Sequence, residues 1–176
     1  NYTATDVEAV LAELPSRFAP LSVQADTEAI WIGPNEFVTS YGSPSLPGSQ
    51  LLPVITLDPA SIEIILASFR TPSSWVTATV SLWYYTGSAS GNIVINPRVY
   101  IAGSGESAAP SVESGITSSI TIPGSTAGIV NIQACGTFTC QPAKACAFWI
   151  QRNATSGSDT NAADLSILGV SIAKAS

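Results

Sequence analysis

At 176 residues the chain suits one medium-sized domain with a short appendage, and it is long enough to bury a real core. Charged residues make up only 10% of it, and the six Lys and Arg in a net charge of −6 are scattered, which argues against nucleic acid as a partner. The chain has no His, which removes the commonest general base and metal ligand, and no apolar run reaches the ~18 to 20 residues of a membrane span.

The first element is "TATDVEAVLAEL". Thr5 with Glu8 three residues later forms a capping-box pattern, and Asp6 and Glu8 complement the helix dipole. Val7, Val10, Leu11 and Leu14 recur at helical spacing as a narrow apolar stripe, and Pro15 ends the helix. Isolated helices below ~12 to 15 residues are marginal in water, so this one needs a surface to pack on. We therefore expect residues 1–20 to be a helical stem whose copies meet stripe to stripe, ahead of a β domain over residues 21–176. The acidic start does not fit a signal peptide, and the lack of an initiating Met points to a processed or excised fragment.

The rest reads as strand and turn. "AIWI", "LPVITL" and "SIEIILASF" come first, the last read as strand from its Ile content and flanking prolines. "WVTATVSLWYYT" alternates from Trp75 to Thr86, with Val76, Ala78, Val80, Leu82 and Tyr84 on one side and Thr77, Thr79, Ser81, Trp83 and Tyr85 on the other. After "GSASG", "NIVINPRVYIA" resumes as a strand whose Pro97 implies an edge or a bulge. The segment 102–115 is expected to be a long loop. "ITSSITI" follows, then "IVNIQAC" and "CAFWIQR" as a pair around a cysteine turn, and "LSILGVSIAK" closes the chain. About eight to ten strands with turns at this spacing predict an all-β, antiparallel sandwich of jelly-roll type.

Catalysis without His would rest on carboxylates such as Asp58, Glu63, Glu106, Glu113, Asp159 and Asp164. A glycosidase needs two of them ~5 to 9.5 Å apart, and no motif sets such a pair. Asp159 and Asp164, with Asn153 and Asn161, do not match an EF-hand loop, so solvation and turn capping are the expected roles. There is no GxSxG, phosphate-binding loop or HExxH. The expectation is a protein without enzymatic activity, catalytic residues, metal or cofactor. Cys135, Cys140 and Cys146 make a poor zinc set without His. Cys135 and Cys140 are candidates for a disulfide across "GTFT" in an oxidising environment, with Cys146 a small buried hydrophobe. Among the aromatics, Trp149 is assigned to the core. Trp83 and Tyr85, on the polar side of the central strand, are candidates to contact a ligand or a neighbouring subunit, the subunit being preferred.

Several phrases carry a resemblance. "NYTATDVEAVLAEL" resembles the short stems of bacteriophage fibre proteins. "LDPASIEIILASFRTPSSWVTATVSLWYY", the "SGNIV" turn, "IQRN", Asp164 and "LGVSI" follow the order of a β-sandwich domain found at fibre ends. The features involved are Pro72, Trp75, Trp83, Gly91, Arg152 and the stretch 164–172. The resemblance implies a homotrimer on the virion surface, among other virion structural proteins. It is compatible with a tail-fibre tip that binds host polysaccharide, or with a capsid head fibre, cement or decoration protein. It hands over no binding residue.

Overall fold

The computed structural model describes residues 29–42, 52–106, 116, 119–126, 128–142 and 144–175. The stem with Val7, Val10, Leu11 and Leu14 lies outside the described residues, as does 107–115 of the long connection.

Among the described residues the chain forms ten strands: β1 Ala29–Ile32, β2 Val38–Tyr41, β3 Ile55–Leu57, β4 Glu63–Phe69, β5 Thr77–Thr86, β6 Asn92–Ala102, β7 Ile120–Pro123, β8 Asn131–Thr139, β9 Ala145–Arg152 and β10 Leu165–Lys174. They make two five-stranded antiparallel sheets. In sheet A the order is β1–β10–β5–β8, with β3 also paired to β10; in sheet B it is β2–β4–β9–β6–β7. The antiparallel sandwich expected from the alternation is therefore present.

The core follows from that alternation. Along β5, Ala78, Val80, Leu82 and Tyr84 are buried, while Thr77, Thr79, Ser81, Trp83 and Tyr85 are half-buried on the outer face. Val76, placed by parity on the inner side, precedes the strand and is exposed. Opposite, Ile65, Ile95, Phe148 and Ile150 of sheet B are fully buried. Phe69 of β4 meets Phe138 of β8 edge to face, with ring centres 6.0 Å apart, so this pair joins the layers directly.

Pro97 shows how the ladder accommodates a missing N–H. β6 pairs with β7 only over Asn92–Ile95, so at Pro97 its one described neighbour is β9. The edge inferred from the sequence is local to that point.

The expected pairing of "IVNIQAC" with "CAFWIQR" is corrected. β8 runs straight through the cysteine segment to Thr139 and pairs with β5, whereas β9 lies in the other sheet between β4 and β6. "GTFT" is thus strand, and an extended chain puts Cys135 and Cys140 roughly 16 Å apart, far beyond the ~7 Å limit for a disulfide. Both are buried, unbridged thiols. Burial pushes the Cys135 thiol up to about 12. Cys146 is buried, as expected of a small hydrophobe.

Candidate functional site

The outer face of sheet A carries the side chains best placed to meet a partner. Trp83 projects from β5 opposite Ile132 of β8 and Gly169 of β10. Its indole N–H donates to Ser171 Oγ at 3.2 Å, which fixes the ring on the sheet surface. Trp31 of β1 meets it edge to face, with ring centres 5.6 Å apart and planes at 81°. Gly169 makes this approach possible, because a Cβ there would fall 2.5 Å from Trp31 Cζ2. A register shift between Ile167 and Gly169 is the local bulge that admits the ring. Trp31 remains 50% exposed and Ile132 57%, so the strip Trp31–Trp83–Ile132 crosses the sheet as an open apolar step.

Beside the step the face becomes polar. Thr56, Ser166 and Tyr85 stand in one register row across β3, β10 and β5. They line a hollow of about 440 Å³ with Gly87 and Asp164. Thr56 and Asp164 also line an adjoining hollow of about 500 Å³, whose far wall carries Asp58, Ser61 and Glu63. Both volumes fall in the range of small-ligand sites. Thr56 Oγ1 and Tyr85 Oη are buried and have no hydrogen-bond partner among the described residues. Asp58 and Asp164 are exposed on the rim, and Glu63 Oε2 accepts the Asp58 backbone N–H at 2.6 Å.

This rim is held from below by Arg152, whose side chain is fully buried. It forms an ion pair with Asp159 at 3.0 Å and donates to the carbonyls of Leu57, Asn161 and Ala163. Leu57 lies between Thr56 and Asp58, and Ala163 precedes Asp164, so one guanidinium ties both walls together. Asp159 also accepts the Val94 N–H. Its expected role as a solvated loop carboxylate is therefore corrected: it is the partner of a buried cation. No group of three His, Cys, Asp or Glu among the described residues is placed to hold a metal ion.

No protein-family model and no curated protein matches the chain. Solved structures do share its fold. The CBM36-1 domain of a multidomain xylanase from the hindgut metagenome of Trinervitermes trinervoides superposes with a TM-score of 0.55 at 7% identity, covering 84% of this chain and 98% of that one. A family 35 carbohydrate-binding module from Clostridium thermocellum gives 0.55 at 10% identity, over 85% and 100%. The CBM35 of Cellvibrio japonicus Abf62 gives 0.51 at 12% identity, over 84% and 94%. At these identities the likeness is one of fold: the chain has the β-sandwich of these modules.

The structure thus brings Trp83 and Tyr85 together on one outer face, the pair singled out from the sequence. It adds Trp31, Thr56, Ser166 and Asp164, which come from strands distant in sequence. Trp149 is corrected from core to surface. It faces outward from β9 on sheet B, half-buried, with the Arg98 guanidinium 5.1 Å above its ring.

Proposed function

We propose that the chain is a non-catalytic glycan-binding domain that holds a sugar chain on the outer face of sheet A. The observation that carries this is the exposed Trp31–Trp83 step beside two polar hollows. Indole faces and edges offer apolar surface to the C–H side of sugar rings, while hydroxyls and carboxylates nearby satisfy ring hydroxyls. The fold shared with carbohydrate-binding modules supports the same reading. The stem and strand-order resemblance supports a finer one: three copies form a fibre tip on a bacteriophage particle, and the glycan belongs to the host surface.

A second reading rests on a specific feature of the same face. Ile129 and Val130 are exposed beside Ile132, and such a run also suits a contact between subunits or a purely structural head-fibre or decoration role.

One experiment separates the two. The purified protein is presented to a glycan array and to insoluble polysaccharides, alongside Trp31→Ala and Trp83→Ala. The glycan reading expects wild-type binding, reduced at least tenfold by either change, with oligomeric mass unaltered. Loss of oligomeric mass without any glycan binding supports the structural reading instead. Electron microscopy of the particle then places the protein at tail or capsid.

A further inference from the structure

The two hollows narrow the ligand class. Buried hydroxyls in folded proteins almost always have a hydrogen-bond partner. Thr56 is 7% exposed, yet its Oγ1 has none among the described residues, and neither does the buried Oη of Tyr85. Both line the same hollow and flank Ser166 in a single row across three strands. The charged groups that line the hollows among the described residues are carboxylates: Asp164 borders both, and Asp58 and the buried Glu63 border the adjoining one. Among the described residues no Lys or Arg lines either one. The guanidinium nearest the floor, Arg152, has no exposed surface and is committed to Asp159 and three carbonyls.

Resting on the glycan reading above, we propose that the hollow between β3, β10 and β5 seats one ring of a hydroxyl-rich glycan without anionic groups. Thr56 and Tyr85 pair with its hydroxyls, and Asp164 accepts from them. A neighbouring ring of the same chain lies on the Trp31–Trp83 step. A carboxylate or sulfate on the seated ring would face Asp164, with no Lys or Arg in the lining among the described residues to offset it, and is rejected. A hydroxyl, by contrast, brings Asp164 a donor and gives Thr56 and Tyr85 the partner they lack among the described residues.

The decisive variant is the pair Thr56→Val and Tyr85→Phe, which removes two oxygens and little else. Binding is measured by calorimetry and affinity electrophoresis against neutral xylan, mannan and glucan, and against the uronate polymers alginate and polygalacturonate. The proposal expects a neutral polymer to bind, the uronates not to bind, and the double variant to lose at least tenfold in affinity. It also expects an unchanged or raised Tm, because removing unpartnered buried hydroxyls relieves a desolvation cost. Asp164→Asn should weaken the same polymer several-fold.

Three results overturn it. A uronate polymer preferred over the neutral ones would refute the ligand class. Wild-type affinity in the double variant, with Trp31→Ala still impaired, would remove the hollow and leave the glycan reading standing. A fall in Tm of the double variant would mean that the two hydroxyls serve the fold. Absence of binding to every polymer by the wild type is different, because it defeats the glycan reading itself.

Discussion

Single residues decide whether the outer face of sheet A can work. Gly169 admits Trp31 only because it has no side chain. Gly91 has φ +83° in the turn before β6, and a Cβ there would sit 2.6 Å from Thr160 O in the rim loop. Cys135 carries a different consequence, for stability. Its thiol titrates at about 12 in the fold against 9.0 as an unperturbed group, because burial disfavours the thiolate. Below pH 9.0 both states keep the proton and the stabilisation is fully present. Between 9.0 and about 12 the unfolded chain releases a proton that the folded chain retains, so stability falls as pH rises. Burial raises Cys140 and Tyr84 as well, in the same direction. Denaturant titrations from pH 8 to 11 should show this decline for the wild type and a shallower one for Cys135→Ala, offset by a constant amount from lost packing. Parallel curves for the two proteins would show that Cys135 does not supply the slope.

At the level of elements, the loop between β9 and β10 depends on one buried cation. Arg152→Met removes the guanidinium but leaves Asp159 buried without its partner, a change that typically costs about 3 to 5 kcal/mol. Arg152→Lys keeps the charge and loses the fork, so it should fall between Met and wild type. Adding Asp159→Asn to the Met variant should recover part of the loss, the signature of an uncompensated charge. Urea unfolding of the four proteins checks the order, and an Arg152→Met protein as stable as wild type would contradict it. Binding should weaken along the same series, since Ala163 and Leu57 position the rim.

The same region shows what the sequence could and could not reveal. β5 was legible because its period-two pattern is long and its outer side is uniformly polar, which also exposed Trp83 and Tyr85. The pattern "CAFWIQR" held a signal that the core assignment of Trp149 overrode. Cys146, Phe148, Ile150 and Arg152 share one parity and Trp149 has the other, so a core built on the first three sends Trp149 outward and Arg152 inward. Sheet membership was not legible, because local alternation says which face a residue takes but not which strand it pairs with. The turn expected at "GTFT" is strand, and Gly136 sits in β8 beside the register shift opposite Val80 and Ser81. Thr56 and Trp31 could not be joined to Trp83 without the order β1–β10–β5 and the pairing of β3 to β10.

For the whole molecule, the two outer faces differ in what they offer. Sheet B presents Trp149 capped by Arg98, already an internally satisfied pair. Sheet A presents the open step and the hollows, and on the proposed function a single such face would give modest affinity, because few contacts offset the cost of ordering a sugar chain. Display of three copies on a common stem would change this, as each added contact becomes intramolecular and avidity can rise by about a hundredfold or more. The stem stripe of Val7, Val10, Leu11 and Leu14 is where such an assembly would be specified. Replacing Val10 and Leu14 by Asp puts charge into that stripe while leaving every residue of the two sheets unchanged. Light scattering should show the mass falling from trimer to monomer, with the thermal transition of the sandwich retained. Binding to an immobilised polysaccharide should drop by about a hundredfold, while affinity for a short soluble oligosaccharide stays the same. A trimer that survives both charges would assign assembly to the sandwich, with the exposed strip from Ile129 to Ile132 as the first surface to mutate. A monomeric wild type would remove the avidity argument and leave each sandwich to bind alone.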